Sequence, residues 1–442
     1  ARQASAYLLG HTTVTLWMGY AAQELAVLSE VVADFETRHP AIKVDLVGGI
    51  DDERIIETLR TGDGPNIISS FESGNFGPYA SAGGLVDLGP YLDRDQIDDT
   101  IFTDATRSYT RYGDRRWALP MLADAYGLYY NRDLLASAGL SGPPRTMSEL
   151  TDYAKRLTTH RADGSLLVVG FNPLFGFYEN TVSQFGHQFG ARWFGPTGES
   201  SVADDPAWAA MLRWQKELLD WYGLENLRAF GREVGEEFST GNAFEKGRLA
   251  LSLDGEWRVG FIAANGSPVN FGTAPLPVAD GRPELYGSGP INGTIIGIPS
   301  GAGQVDEAWQ LIKYLTTDDA ALVKLANGLR NIPSTKSALR SPDLVRDPAS
   351  AVFLDIFAHP KSGASPLTSI GTAYEAVMAT FAERWQAGEV SDLVGGLRDV
   401  DREINILLRR PMAADGTPAD ELAIRWRGSP AGSPELRAAF LS

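Results

Sequence analysis

The sequence predicts an α/β fold built around a parallel sheet and divided into two domains or lobes. Short runs rich in β-branched residues alternate with segments whose apolar residues recur every three or four positions, which is typical of a parallel sheet with right-handed helical crossovers. The chain has 442 residues, more than one hydrophobic core usually serves. Its hydrophobic fraction of 43% supplies material for packed cores and excludes wholesale disorder.

The N-terminal part of the chain shows this alternation most clearly. The predicted order is strand 12–17, helix 21–38, strand 42–47, helix 51–60 and strand 66–70. Ligands of such sheets bind outside the carboxyl ends of the strands. Residues 17–20 and 69–75 are therefore the first places to search for a site.

The later part of the chain is predicted to mix short strands with longer helices. A strand-rich passage over 117–133 enters a helix, and hydroxyl capping residues at Thr146 and Ser148 start another. The stretch 245–257 predicts a helix end, a glycine break, an apolar strand and then a loop dense in polar and aromatic residues. Further helices are predicted over 207–221, 306–315, 320–325, 373–385 and 393–408, with short strands over 271–277 and 291–299 and a loop-rich tail.

Composition excludes several classes of function. The net charge of −17 would repel phosphate backbones, so nucleic acid is not an expected partner. The chain has no cysteine, which removes disulfides, thiolate catalysis and thiolate metal sites. Its five histidines are scattered and show no spacing typical of a metal site or a proton relay. We therefore expect no metal, no cofactor and no catalytic residues.

The sequence also bears on membrane association. No apolar run approaches the roughly 20 residues that span a bilayer. Residues 1–11 lack both an initiator Met and the charged-then-apolar layout of a signal peptide, so we expect a processed or truncated chain.

Aromatic and acidic side chains near predicted strand ends are the main candidates for a functional site. Carboxylates bind sugar hydroxyls in pairs and aromatic rings stack on the apolar face of a pyranose, so such a set favours a carbohydrate-binding cleft. Two other interpretations stay open: a pair such as Asp254 and Glu256 could act as in a glycosidase, and each group alone could be a core or solvated loop residue. The pairings are Trp17 with Tyr20, Phe71 with Glu72, Asp124 with Tyr126, and Glu256 with Trp257.

Five segments carry a family resemblance when they are taken in order. They are the opening strand with Trp17, the Glu24 helix that closes in 34–40, residues 65–68, Leu119-Pro120 followed by 128–133, and residues 247–257. Together they resemble the extracellular solute-binding proteins of ABC sugar importers, the group that includes maltose-binding and glycerophosphodiester-binding proteins. The likeness runs from Thr13 through 331–334 to the helical tail.

The resemblance implies a non-enzymatic receptor with the two-lobed type II periplasmic-binding-protein fold, which closes over a ligand and delivers it to a membrane permease. The N-terminal lobe would comprise 12–121 and 278–320, and the C-terminal lobe 122–274 and 323–442. Hinge crossings would fall near 121–124, 274–277 and 319–322. We expect an exported monomer of the cell envelope or periplasm, anchored as an actinobacterial lipoprotein and otherwise free of the membrane.

Most of the predicted ligand contacts are also placed by the resemblance. Gly287, Ser288 and Asn292 lie where the family often sends backbone or small polar groups into the cleft. The predicted ligand-binding residues are Gly19, Tyr20, Phe71, Glu72, Ser73, Asp124, Tyr126, Asp254, Glu256, Trp257, Ser288, Asn292, Arg330 and Tyr374.

The acidic character of this set bears on the ligand. Glu72, Asp124, Asp254 and Glu256 have Arg330 as their one basic companion, and burying an anion among carboxylates is costly. The sequence therefore favours a neutral sugar, or one with an amino group, from monosaccharide to oligosaccharide. A glycerophosphodiester receptor of the same family and a carbohydrate-active enzyme remain alternatives, as does a peptide-binding or metal-binding receptor.

Overall fold

The computed structural model describes residues 10–410 of the chain. The predicted loop-rich tail and the predicted end of the C-terminal lobe at 442 lie outside the described residues. The strands are β1 Thr12–Trp17, β2 Ile42–Val47, β3 Ile67–Ser70, β4 Arg111–Tyr112, β5 Arg115–Arg116, β6 Leu119–Asn131, β7 Thr159–His160, β8 Leu166–Phe171, β9 Leu249–Gly255, β10 Phe271–Ala274, β11 Ile291–Gly297 and β12 Ile332–Pro333.

Helices cover the sheet and form most of the C-terminal part. The α-helices are α1 Ala22–Arg38, α2 Asp52–Thr61, α3 Gly77–Ala82, α4 Gly89–Arg94, α5 Arg107–Thr110, α6 Arg132–Ser137, α7 Met147–Leu157, α8 Val182–Gln188, α9 Pro206–Tyr222, α10 Leu224–Glu233, α11 Trp257–Ala264, α12 Val305–Thr317, α13 Asp319–Leu329, α14 Lys336–Leu339, α15 Pro348–Ala358, α16 Ala373–Gln386 and α17 Leu393–Arg409. A 3₁₀ turn at Ser73–Phe76 follows β3.

The main sheet has the strand order β2-β1-β3-β11-β6-β9-β8-β7 within the described residues. β1 runs parallel to β2 and β3, which confirms the predicted parallel pairing of the first strands. β11 runs antiparallel to β3 and to β6, so the parallel pairing predicted from the first strands does not continue into the middle of the sheet. These two strands enter after long connections and not after single crossover helices, and antiparallel pairing needs no crossover.

Strand β6 joins the two halves of the sheet. Its first part, Leu119 to Ala125, pairs with β11, and its second part, Tyr126 to Tyr130, pairs with β9. β12 pairs with β6 in the first part and β10 in the second. We call β2, β1, β3 and β11 the first half of the sheet and β9, β8, β7 and β10 the second half. The predicted lobe boundaries and hinge crossings stay predictions.

Local signals explain most element boundaries. The Asp51 side chain accepts a hydrogen bond from the Arg54 amide at 2.9 Å and starts α2. Thr146 caps α7 in the same way, by accepting from the Glu149 amide at 3.2 Å. Both caps satisfy amide groups that the first helical turn leaves unpaired.

Three predicted segments differ in the structure. The predicted loop after β9 is the start of α11, because Trp257, Phe261 and Ile262 recur at helical spacing and are buried. The predicted helix end near 245 consists of turns, and the predicted helical region beyond 327 contains the short strand β12. No helix within residues 10–410 combines the length and the apolar character needed to cross a bilayer.

Candidate functional site

An aromatic pair closes the carboxyl ends of β1 and β3. The rings of Tyr20 and Phe71 lie 5.1 Å apart and both are buried. Gly19 packs beneath them, since a Cβ there would come within 2.6 Å of the Phe71 Cε2 atom. The structure therefore brings these three predicted residues together, as parallel neighbouring strands require. They form a packed floor for the site.

Glu72 lies beside this floor, followed by buried Ser73. The Glu72 amide donates to Ser70 Oγ at 3.0 Å, and Asn292 Nδ2 on β11 donates to Glu72 Oε1 at 3.4 Å. Burial, followed by the charges of four other acids, raises the pKa of Glu72 to about 8. The four acids are Asp52, Glu375, Asp124 and Glu179.

Asp52 is an acidic neighbour that sequence reasoning did not select for the site. Its Oδ2 atom accepts from Ser70 Oγ at 2.9 Å and from Asn75 Nδ2 at 2.8 Å. Burial outweighs these hydrogen bonds and raises the pKa of Asp52 to about 6. Asp52 is the first residue of the helix that Asp51 caps. In the sequence, this pair of acids indicates a helix start and gives no sign of a binding site.

Asp124 and Glu256 meet at Asn331. Asn331 Nδ2 donates to Asp124 Oδ1 at 2.7 Å and to Glu256 Oε1 at 3.2 Å, and the Ala125 amide donates to Glu256 Oε2 at 3.0 Å. Burial, and then the neighbouring Asp124, raises the pKa of Glu256. Sequence reasoning brought the two acids together but did not select Asn331, although it used the 331–334 segment for the resemblance.

Asp254 points away from this group. It accepts from Arg258 Nε at 2.7 Å, while Arg258 donates to Glu245 Oε2 at 2.9 Å and to the Glu237 carbonyl oxygen at 2.8 Å. The Arg258 side chain is only 1% exposed. This corrects the prediction that Asp254 contacts the ligand, because its charge is held in a buried ion network. The spacing of four residues from Asp254 to Arg258 was the signal that sequence reasoning missed.

Two predicted aromatic residues line the junction of the two halves. The rings of Tyr126 and Trp257 meet edge to face with centroids 5.5 Å apart, and both side chains are buried. Burial, followed by the charges of Glu179, Asp124, Glu72 and Glu256, raises the pKa of Tyr126. The Tyr126 ring therefore lies among carboxylates that come from both halves of the sheet.

Helix α16 contributes Glu375 instead of the predicted Tyr374. The Tyr374 hydroxyl donates to the Pro366 carbonyl oxygen at 2.7 Å, and its ring packs 4.9 Å from that of Trp193. Tyr374 is 1% exposed, which corrects the prediction that it presents its ring to a ligand. Glu375 accepts from Ser183 Oγ at 2.7 Å, and burial raises its pKa.

The last predicted residues have different surroundings. Ser288 is fully buried and its hydroxyl donates to the Leu285 carbonyl oxygen at 2.6 Å, so it closes a turn and is not available as a polar contact.

Arg330 ends α13 in the left-handed conformation, with φ of 55°, and its side chain is exposed. Arg330 thus turns the chain so that the next residue, Asn331, reaches the acids.

The assembled site is rich in hydrogen-bond acceptors. Carboxylates arrive from α2, β3, β6 and α16, and amides arrive from Asn292 and Asn331. Within residues 10–410, no group of three or more histidines or acids is arranged to hold a metal ion. Such a site can bind hydroxyl or ammonium donors and pack apolar surface against Tyr126 and Trp257.

Comparisons with known proteins agree with this architecture. The maltotriose-binding protein of Pyrococcus abyssi is 23% identical over 403 residues, which cover 89% of this chain and 82% of that protein. The cyclic alpha-maltosyl-1,6-maltose binding protein from Arthrobacter globiformis has a similar structure, with a TM-score of 0.73 at 18% identity, over 91% of this chain and 100% of that one. The sugar-binding protein MalE from Xanthomonas citri gives a TM-score of 0.70 at 22% identity, over 90% and 97%.

These likenesses confirm the type II periplasmic-binding-protein fold over nearly the whole chain. The sequence profile of the family described as bacterial extracellular solute-binding protein matches residues 21–322. The chain therefore belongs to the bacterial extracellular solute-binding proteins.

Proposed function

We propose that this chain is the substrate-binding component of an ABC importer and captures a carbohydrate between the two halves of its sheet. The observation that carries the proposal is the convergence of polar groups from both halves. Glu72 and Asn292 come from the first half, while Glu256, Trp257 and Glu375 come from the side of the second. A ligand held by both sides would stabilise their closed arrangement.

The chemistry of the site supports a carbohydrate. Carboxylates and amides alternate around it, so vicinal hydroxyls can donate to an acid and accept from an amide. Tyr126 and Trp257 offer apolar surface to a sugar ring. Relatives named for maltotriose and for a cyclic maltosyl-maltose share the fold, and they support a saccharide as the ligand.

Contacts between the two sides support hinge closure as the binding mechanism. A Cβ at Gly74 would come within 2.7 Å of Thr372 Cγ2, and one at Gly77 would collide with the Thr368 carbonyl oxygen. Gly74 and Gly77 belong to the proposed N-terminal lobe of 12–121 and 278–320. Thr368 and Thr372 belong to the proposed C-terminal lobe of 122–274 and 323–442. Closure would bend the chain near 121–124, 274–277 and 319–322.

A binding role fits the site better than catalysis does. Asp124 and Glu256 are both engaged by Asn331, and Glu256 also accepts from the Ala125 amide. A glycosidase instead needs two carboxyl groups placed on opposite sides of a scissile bond. We infer that the protein releases its sugar unaltered to permease subunits.

The same site disfavours a glycerophosphodiester. Its acids outnumber the cations that could neutralise a phosphate. Arg258, the one buried arginine of residues 10–410, is already paired with Asp254 and Glu245. We further propose a monomer that acts outside the cytoplasmic membrane, consistent with its extracellular family, and that a lipid anchor holds it there.

Titration calorimetry combined with product analysis tests this proposal. A receptor should bind one saccharide class at saturable stoichiometry, and chromatography should recover the sugar intact after prolonged incubation. Glu256→Gln should weaken binding because it alters the acceptor shared with Asn331. Cleaved sugar after incubation, or tighter binding of glycerophosphocholine than of any saccharide, would contradict the proposal.

A further inference from the structure

The acidic side chains of the site lie close to one another. Glu72 is faced by Asp52 from α2, Asp124 from β6, Glu179 from the segment before α8 and Glu375 from α16. No lysine or arginine of the described range is among the main influences on the pKa of Glu72, Glu256 or Glu375. A cluster of this kind is unfavourable when every carboxylate is charged, so protons or a cation must neutralise part of it.

A second observation points to a missing ligand group and does not depend on charge. The Tyr126 side chain is 5% exposed, and its hydroxyl makes no hydrogen bond with any residue of the range 10–410. That hydroxyl faces the carboxylates on both sides of the junction. Thr372, whose Cγ2 packs against Gly74 two residues after Glu72, has its Oγ1 buried without a hydrogen-bond partner in the described part of the chain. Buried polar groups of native proteins are normally satisfied, so the Thr372 hydroxyl awaits a bound molecule, and the Tyr126 hydroxyl can bind the same molecule.

Glu72 is the acid best placed to meet that molecule. Its only side-chain hydrogen bond within the described residues is the long one from Asn292, at 3.4 Å. Asp52, Asp124, Glu256 and Glu375 all hold closer protein donors. Glu72 is also half-buried and not fully enclosed, so a ligand group can reach it.

We propose that the site takes a saccharide that carries a protonated amine, and that Glu72 is the carboxylate that pairs with the ammonium group. This inference rests on the proposed function and names the ligand class more narrowly. The ammonium donates to Glu72 and lies near the remaining acids, while Tyr126 accepts or donates to a neighbouring hydroxyl. A neutral sugar would leave the same cluster to be neutralised by protons.

The proton balance distinguishes the two ligand types. The raised pKa of Glu72, about 8 in the ligand-free chain, keeps it protonated at pH 6 to 7, and a hydroxyl ligand brings no charge that would lower this pKa. With an ammonium bound, Glu72 is ionised, so the two complexes differ by about one proton. The affinity ratio of amine to hydroxyl ligand must therefore rise with pH below 8, whatever the protonation of the free protein.

The test is titration calorimetry with saccharide pairs that differ only in the amine. The probes are glucose with glucosamine, galactose with galactosamine, mannose with mannosamine, and cellotriose with the glucosamine trimer, with N-acetylated forms as a further control. At pH 7 the amine member of the binding pair should bind at least about tenfold more tightly. This affinity ratio should grow several-fold between pH 5.5 and 7. Titrations in two buffers of different ionisation enthalpy should show that binding of the amine ligand releases about one proton more than binding of the hydroxyl ligand.

Variants assign the effect to Glu72. Glu72→Gln should bring the amine-to-hydroxyl ratio close to one and remove its pH dependence. Glu72→Asp should keep part of the preference, and the exposed Glu53→Gln should keep all of it. If the native chain binds the hydroxyl sugar as tightly as its amine counterpart, or more tightly, the inference is wrong and the proposed function is unaffected. Failure of every saccharide to bind overturns both.

Discussion

At the residue scale, the main feature of the molecule is the contrast between two groups of acids. Asp254 and Glu245 are compensated by the buried guanidinium of Arg258, whereas Glu72 is surrounded by other acids. The ion network of Asp254, Glu245 and Arg258 stabilises the fold around α11. The acids around Glu72 repel one another at the junction of the two sheet halves. The two groups therefore predict opposite consequences of removing a charge.

Removal of Arg258 should destabilise the protein strongly. Arg258→Met leaves Asp254 and Glu245 buried without their cation, which typically costs about 3–5 kcal/mol of unfolding free energy. Arg228→Met is the matched control, because Arg228 pairs with Glu225 on the surface and should change stability by about 0.5 kcal/mol or less. Urea unfolding followed by circular dichroism measures both, and equal effects would show that the buried network is not structural.

Neutralising Glu72 should instead flatten the pH dependence of stability. Its pKa is raised from 4.5 to about 8 in the folded chain, and that of Asp52 to about 6. The folded form then holds more protons than the unfolded form, so the stabilisation present below about pH 4.5 is lost as pH rises toward 8. Melting temperatures of the ligand-free protein should fall from pH 5 to 8, less steeply in Glu72→Gln and unchanged in slope in Glu53→Gln. A melting temperature that rises over this range would contradict the assignment.

At the scale of elements, much of the fold follows from local patterns in the sequence. The bounds of β1 and β2 agree with those predicted from β-branched alternation, and α1, α2 and α9 agree within one residue at each end. The start of α11 was missed because the polar, aromatic Glu256-Trp257 sequence looks like a loop until the buried spacing of Phe261 and Ile262 is known.

The site was harder to predict because it depends on side-chain direction. Glu72 and Glu256 follow strand ends as predicted, whereas Asp124 lies in the interior of β6. Asp254 and Tyr374 turn into the core. Glu375 points to the site instead. It follows Tyr374 directly on α16, and neighbouring residues of a helix project about 100° apart around its axis. Partners such as Ser183 and Asn331 come from segments distant in sequence, and a single sequence gives no direct signal for these contacts.

A helix cap provides the test at this scale. Asp347 accepts from the Ala349 and Ser350 amides at 3.0 and 2.9 Å and starts α15, which packs against β6. Asp347→Ala should cost about 1–2 kcal/mol of unfolding free energy. Asp355→Ala, an exposed position within the same helix, should have little effect. Chemical denaturation compares the two, and a similar cost at both positions would contradict the capping role.

At the scale of the whole molecule, binding is proposed to depend on close approach of the two sides. Glycines at Gly74 and Gly77 permit that approach, because a side chain at Gly77 would collide with the Thr368 carbonyl oxygen. The backbone of Gly77 has φ of −53°, which any residue can adopt. Glycine is needed here for space and not for conformation.

Gly77→Ala should therefore block closure without unfolding the chain. We expect saccharide affinity to fall at least about tenfold, while the ligand-free melting temperature stays close to that of the native chain. Gly363→Ala is the control, since a Cβ at that position meets nothing within 4 Å. Calorimetry and small-angle X-ray scattering with saturating sugar report the two effects. Unchanged affinity in Gly77→Ala would show that closure at this contact is not required.

If this protein is a carbohydrate receptor, its folded form binds a saccharide selectively. A thermal-shift screen tests it most directly, because any ligand that binds only the folded form raises the melting temperature. The panel contains neutral sugars, amino sugars, disaccharides and glycerophosphodiesters. We expect a concentration-dependent rise in melting temperature with one saccharide class, and a larger rise with its amine-bearing members. A rise with a phosphodiester alone, or none with any saccharide, would contradict it.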